Sequence, residues 1–310
     1  MSEFFTASVL VSTIGAGIRL STSYLYAAIG ETFGQRSGVL NLGVDGIMLL
    51  GAFGAYYTVL KSGDLWLGLA IAAGIGLLMG LAMAFASVTL QAEQGISGIG
   101  FYLFGLGMSA LLFQKLVGTP LPIQGFPDIH LPVLSDIPVI GEPLFSHSVI
   151  VYGAFLLVPV GAFILNKTTL GLKIRSVGEN PEAADTLGVS VAKIRYTTIM
   201  FGSMLAGIGG AALAIELGIF QQNLTAGQGF IAIALVYFGA WRPLGVMLGA
   251  LLYGFVAAIV LQLNTLGVIP RSASDLAAML PALITILALV VAVQKERQPA
   301  ALAKPYQRGE

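Results

Sequence analysis

The chain has 310 residues, is 56 % hydrophobic and only 10 % charged, and balances fifteen basic against fifteen acidic side chains. Soluble domains carry roughly 25 % charged residues, so most of this surface is solvated by lipid or by the protein itself. No basic stripe is available to meet nucleic-acid phosphates, and the absence of Cys excludes disulfides and thiolate metal sites.

A helix crossing ~30 Å of hydrocarbon needs about 20 mostly apolar residues. The first candidate, 4–30, is interrupted by Arg19, lacks a basic flank and runs on into membrane-like sequence, so a cleavable leader is not expected. The next stretch, 30–51, reads GETFGQRSGVLNLGVDGIMLLG and sets Glu31, Arg36, Asn41 and Asp45 in or beside embedded sequence. Gly34, Gly38, Gly43 and Gly46 disfavour a continuous helix there. Irregular backbone at membrane depth persists only when buried in protein or lining a water-filled cavity, and charges there face a pathway or pair with each other. A broken helix with free backbone groups and an Asn amide is a binding element for a polar solute. The competing reading puts Glu31 and Arg36 in a cytosolic turn and makes Asp45 a cap for the next helix.

A short span follows over 46–60, then two uncharged spans over 65–90 and 95–114. Ala72, Gly76, Gly80 and Ala84 recur every four residues and form a smooth stripe, echoed by Gly245 and Gly249. Such stripes let membrane helices approach closely, and packing is the reading given to them here. Gln94, Ser97 and Tyr102 open the fourth span.

The loop 116–146 contains no Lys or Arg, carries Asp128, Asp136 and Glu142, and holds six of the thirteen prolines. Basic residues near span ends favour the cytosol, so this loop is expected outside. After the span 148–166 comes NKTTLGLKIRSVGENPEAADTLGVSVAKIR, residues 166–195, with five of the fifteen basic residues. Inside it lies a short helix with readable ends. Asn180 can cap it, Pro181 suits its first position, Glu182 and Asp185 suit its positive end, and Gly188 can stop it. A helix of about seven residues is unstable alone in water, so it must lie against the membrane domain or a cytosolic partner. Its position points to a docking helix of a membrane transport subunit.

The remaining uncharged spans are 196–215, 217–241, 243–270 and 276–294, with Gln228 and Phe230 opening the 217–241 span. The total is about nine spans, within eight to ten, by the length rule. Alternation from the basic loops puts the tail 296–310 in the cytosol and the N-terminus outside, with Glu216 solvated at an outer helix end. Arg19 is expected to snorkel or to pair with an acid. The predicted fold is therefore an all-α polytopic bundle forming one membrane domain over 1–310, with 4–295 in the membrane region and one short cytosolic coupling helix. No Gly-x-x-x-x-Gly-Lys-Ser/Thr loop is present, so ATP hydrolysis by this chain is not expected. His130 and His147 lie far apart and no Gly-x-Ser-x-Gly occurs, so neither a metal site nor a catalytic set is expected.

Three segments, GETFGQRSGVLNLGVDGIMLLGA, GLKIRSVGENPEAADTLGV and GQGFIAIALVYFGAWRPLGVMLGALLYG, together resemble permease subunits of bacterial ABC importers. The similarity spans roughly residues 5 to 295 and points to the family of branched-chain amino acid and ribose-type permeases, most of all its nucleoside or simple-sugar group. That resemblance implies two membrane subunits, here a non-identical pair of which this chain is the shorter, two cytosolic ABC ATPases and an extracellular or lipoprotein solute-binding protein. It implies a cytoplasmic (inner) membrane location in a bacterium or archaeon, surrounded by lipid, without cofactor. The stretch Gly178–Gly188 matches the family's coupling helix, so Gly178, Glu179, Asn180, Pro181, Ala183, Ala184 and Gly188 are the expected ATPase-contact set. Family members often carry an Asn-Gln pair before the fourth span and an Asn one turn inside it; this chain has Glu93-Gln94 and Tyr102. Glu31, Asn41, Asp45, Tyr102, Gln228 and Phe230 are the expected solute-pathway residues. A nucleoside is the expected solute, with Tyr24, Tyr26, Phe101 and Tyr237 as further aromatic faces. The alternatives are a simple sugar, a branched-chain amino acid, or transport without an ATPase.

Overall fold

A computed structural model describes residues 7–130, 132, 135, 141–270, 273–292 and 298–307. The chain opens with a 30-residue helix, α1 (Ala7–Arg36), and α2 (Val44–Ser62) follows after a seven-residue break. α3 (Leu65–Ala84) starts where the Asp64 carboxylate accepts from the amides of Trp66 and Leu67, and a π-helical turn, Phe85–Thr89, ends it. α4 (Gln94–Leu116) begins the same way, with Glu93 accepting from Gly95 and Ile96. These caps satisfy donors that a helix start otherwise leaves orphaned.

The expected outer loop contributes β1 (Asp128–His130), a turn of helix α5 (Gly141–Phe145) and β2 (Ser146–Ser148). The two strands pair antiparallel with Ile129 opposite His147. Asp136 of that loop lies outside the described residues. α6 (Val149–Lys167) leads into α7 (Thr169–Glu179) and α8 (Pro181–Thr186), and α9 (Val191–Leu217) returns through the bundle. α10 (Gln228–Phe238), α11 (Pro243–Thr265), α12 (Ser274–Ala278) and α13 (Leu280–Ala292) complete the described helices.

Among the described residues, five helices are long and apolar enough to cross a membrane: α3 with its π turn, α4, α6, α9 and α11. Of these, α9 is 72 % buried over its most apolar stretch against 22–39 % for the other four, so it is the central post. α1, α2 and α3 pack around it. The small-residue stripe of α3 makes that contact: a Cβ on Gly76 would sit 2.3 Å from the carbonyl oxygen of Ser203. Backbones this close exclude any larger side chain, which is the packing role expected of the stripe. The opposite faces of α4, α6 and α11 leave Ile96, Leu156 and Leu248 61–75 % exposed, a surface suited to lipid rather than water.

Five sequence expectations change. The break between the first two helices is narrower than the glycines suggested: α1 runs through Gly34 to Arg36, and only Ser37–Gly43 are irregular. The short span 46–60 is a full 19-residue helix. The uncharged stretch 217–241 is not one helix. α9 takes its first residue, a left-handed Gly218 (φ +64°) stops it, and helix resumes only at Gln228, leaving α10 with 11 residues. The 166–195 segment is largely helical, since α7 precedes the short helix expected there. Arg19 and Glu216 line one cavity of about 200 Å³ between α1, α9 and α11. Glu216 is half-buried and accepts from Ser148 Oγ, so it is not merely solvated.

Candidate functional site

Two clusters of the sequence-selected residues emerge, one at the break between α1 and α2 and one at α8. At the break, Glu31 sits in the last turns of α1 and its Oε1 accepts from Gln35 Nε2 and from the Asn41 amide, each at 3.1 Å. Asn41 Oδ1 accepts from Gly43 N at 2.9 Å, turning the chain into α2, and its Nδ2 donates to Ser203 Oγ on α9 at 3.3 Å. From the start of α4, Gln94 Oε1 accepts from Leu40 N at 2.9 Å, while its Nε2 is buried without a partner. The irregular segment is therefore pinned from α1, α4 and α9 at once. Each bond satisfies a polar group that burial has removed from water.

Asp45 plays a different part from the cap that the sequence allowed. Gly43 occupies the cap position of α2, without a side-chain bond. The Asp45 carboxylate instead crosses to α10, accepting from Gly229 N at 2.8 Å and from Thr225 Oγ1 at 3.2 Å. It caps α10 from another helix, placing negative charge at that helix's positive end. Beside it, Ser23 Oγ of α1 donates to Gln228 Oε1 at 2.8 Å. Tyr102 of α4 and Phe230 of α10 meet edge to face with ring centroids 5.1 Å apart.

The six expected pathway residues thus split by burial. Glu31 and Asn41 are 4 % exposed and Asp45 is fully buried, so none of the three offers an open face to a solute in this conformation. Gln228, Tyr102 and Phe230 are half-buried or exposed and are the accessible members of the set. Of the buried three, Asp45 bonds to the start of the half-helix α10, which carries two of the accessible ones, while Glu31 and Asn41 brace the break itself. Ser203 and Thr225 belong to this network and were not singled out by sequence reasoning. Ser203 is a small hydroxyl within an apolar stretch of α9, and Thr225 is one of several polar residues in the turn before α10.

At the second cluster, Asn180 Oδ1 accepts from Ala183 N at 2.9 Å and Pro181 takes the first helical position of α8. Gly188 adopts φ +83°, with Val189 N donating to Ala184 O at 3.0 Å to close the end. Replacing Asn180 with Ala removes this cap at a cost of ~1 kcal/mol. Amides 183–187 should then exchange hydrogen about fivefold faster, by the same free energy. Unchanged exchange would show that the cap holds nothing.

Glu182, Ala183, Thr186 and Gly188 are exposed, and so are Glu179 and Asn180. Ala184 is a correction to the expected contact set: it is 3 % exposed and packs into the main core, so it anchors α8 and does not face outward. Leu187, by contrast, is 84 % exposed, the highest value among the exposed large hydrophobic residues described. The helical period alone would put Leu187, three residues beyond inward-facing Ala184, on the buried face, but Leu187 lies past the helix end, where α-helical spacing no longer applies.

The base of this cluster is tied to the first. A Cβ at Gly178 would lie 2.0 Å from the Arg36 carbonyl oxygen, so the end of α7 rests directly on the end of α1. Residues 298–307 reinforce the joint. Ala301 N donates to Gly178 O at 2.9 Å and Ala303 N to Gly38 O at 3.1 Å. Arg195, 2 % exposed, donates from Nε to Ser37 O and from Nη1 to Lys304 O. Lys295, Arg297 and Arg308 of the expected tail lie outside the described residues. Among the described residues no group of three or more His, Asp or Glu is gathered for a metal ion.

Comparison with known proteins adds the following. A family profile described as branched-chain amino acid transport system / permease component matches residues 13–289. The chain is 37 % identical to the putative glucose ABC transporter permease protein TsgC13 of Haloferax volcanii, over 91 % of this chain and 86 % of that one. It is 33 % identical to the guanosine ABC transporter permease protein NupQ of Bacillus subtilis, over 97 % and 98 %. With the nucleoside ABC transporter permease protein NupC of Lactococcus lactis it shares 34 % identity over 91 % and 92 %. Each of these two bacteria also has a second, less similar permease protein, named for guanosine in one and for nucleosides in the other. No solved structure matches the chain.

Proposed function

Since the chain belongs to the branched-chain amino acid transport system / permease component family, we propose that it is the multi-pass membrane permease subunit of an ABC importer that brings nucleosides into the cell. The observation that carries this is the pairing of near-full-length similarity to guanosine and nucleoside permeases with an exposed, capped helix at α8. The chain has no phosphate-binding loop, and the reading assigns ATP hydrolysis to separate cytosolic subunits docked at α8. ATP can bias the pathway only if the ATPase pair binds α8 differently in its open and closed states. The joint at Gly178, Arg36 and Gly38 then transmits that difference to the α1–α2 break and, through Asp45, to α10.

The same reading keeps nine passes in one membrane domain. α1 and α2 are interior spans; α10 with its leading turn and α13 supplement the five most apolar helices. It places α7, α8 and the tail in the cytosol and the β1–β2 ribbon outside, by the distribution of basic residues. The second permease of each bacterial relative supports a non-identical pair, completed by an extracellular or lipoprotein solute-binding protein.

Tyr102 and Phe230 offer ring faces for a base, and Gln228 a hydrogen-bonding amide. Glucose is the second reading, favoured by the archaeal relative, because sugars also stack on aromatic faces. Uptake of labelled guanosine and labelled glucose in cells lacking the chain separates the two. Loss of guanosine uptake alone is the expected outcome; loss of glucose uptake alone would transfer the assignment to the sugar. For these ring faces, Phe230→Ala should lower guanosine uptake roughly tenfold, equivalent to a lost stacking partner. Unaltered uptake in that variant would remove Phe230 from the pathway.

A further inference from the structure

Arg19 of α1 and Glu216, in the last turn of α9, face one cavity of about 200 Å³, together with Thr22, Ser23, Leu213 and Leu261. Arg19 is exposed and Glu216 half-buried, so both charged heads are reachable. Among the described residues no hydrogen bond or ion pair joins the two, although the charge of Arg19 is felt at Glu216. A direct pair would use up the donors of one and the acceptors of the other. Held apart, each keeps hydrogen-bonding capacity for a third group placed between them.

The remaining polar atoms narrow what that group can be. Ser148 Oγ of β2 donates to Glu216 Oε1, which leaves Oε2 as an acceptor. Ser23 Oγ gives its proton to Gln228 Oε1 at 2.8 Å, and Thr22 Oγ1 gives its proton to the Ile18 carbonyl oxygen at 3.1 Å. Both hydroxyls therefore show only lone pairs to the cavity. Arg19 is the donor fork, and leucine side chains supply apolar walls. A matching ligand has adjacent N–H donors on one edge, acceptors on the next, and a body that tolerates apolar contact. Guanine has this pattern: N1–H and the N2 amine lie side by side, while O6 and N7 are the acceptors that an arginine fork meets in pairs. Adenine inverts it, turning its N6 amine toward the guanidinium and a bare ring nitrogen toward the carboxylate. The volume is below the roughly 300 Å³ at which small-molecule pockets begin, so one ring system fits and an attached sugar stays outside. The bond from Ser23 to Gln228 sets the cavity beside the start of α10, close to the accessible Gln228.

We propose that Arg19 and Glu216 form a guanine-selective subsite, where the base of an incoming nucleoside is read before it reaches Tyr102 and Phe230. This rests on the nucleoside reading and adds to it a choice among bases.

Uptake of labelled guanosine, adenosine and leucine by cells carrying the complete importer tests this. The guanosine-to-adenosine uptake ratio of each variant is divided by that of the natural chain, which cancels any preference of a solute-binding protein. Glu216→Gln places an amide donor where the carboxylate accepted, and the ratio should fall about tenfold, the worth of one bidentate base contact. Arg19→Lys keeps the charge but loses the fork, and the ratio should fall about fivefold. This second variant decides the matter if Glu216→Gln fails to insert. A purely structural role would lower uptake of both nucleosides together, so a ratio that stays at one in Arg19→Lys overturns the subsite. Loss of leucine uptake with guanosine uptake intact also overturns it, giving the two charges to the ammonium and carboxylate of an amino acid. Nucleoside uptake with an unshifted ratio refutes the subsite alone, whereas absence of any nucleoside uptake by the natural chain refutes the nucleoside reading as well.

Discussion

Replacing Leu187 by arginine should abolish import while leaving the membrane bundle folded. The side chain is 84 % exposed and has no packing role in the chain, so its replacement should alter stability by no more than about 0.5 kcal/mol. An apolar residue held this far into solvent at the tip of a short capped helix has the character of an interface anchor. Truncating such an anchor typically costs 2 kcal/mol or more, about thirtyfold in affinity, and a buried unpaired charge costs further. The ATPase subunit should therefore fail to co-purify with Leu187→Arg, and uptake should fall to the background of cells without the chain. The melting temperature in detergent should match that of the natural protein. A variant that still holds its ATPase and transports at the natural rate would show that force enters elsewhere. Ala184→Arg is uninformative for this purpose, because that side chain is core and its loss of docking would be confounded with unfolding.

Asp45→Ala should be the most destabilising single change among the pathway residues. It leaves Gly229 N and Thr225 Oγ1 buried without an acceptor, each a desolvated polar group. Losing hydrogen bonds to a charged group costs about 1.5–3 kcal/mol apiece, so roughly 3 kcal/mol in total is expected after partial relaxation. Asp45→Asn keeps one acceptor oxygen for Gly229 and should recover around half of this. A drop of several degrees in melting temperature for Ala, and a smaller drop for Asn, is the predicted order. Equal stability of all three proteins would mean that α10 is held by its apolar face alone.

The legibility of this chain in its sequence follows from the physics of each element. Apolar length announces membrane helices, so α3, α4, α6 and α11 were readable, and the ends of α8 were readable because Asn, Pro and Gly act locally. The single span expected over 217–241 was not two elements on paper, because hydropathy reports what surrounds a residue and not whether its backbone is helical. Gly218 and Gly227, both with positive φ, bound that break, and Asn223 and Ala226 within it are left-handed as well. α7 was missed for the converse reason: its charges masked a helical period, and the basic residues read as loop. At the candidate site, Glu31, Asn41 and Asp45 stood out as polar groups in apolar sequence, but sequence could not say which would be buried struts and which would line a wall. Direction across helices decides that, and Ser203 and Thr225, which complete the network, are ordinary residues until the helices meet.

Residues 301–304 reach back to Gly38, Gly178 and Arg195, contacts that join the first helix, the middle of the chain and its final residues. A ribosome makes residues 301–304 after every helix that they latch. This end of the bundle consequently cannot finish closing until they have emerged, and a message truncated before codon 301 would yield a protein inserted yet unlatched. Quality-control proteases would find such a product open at that end.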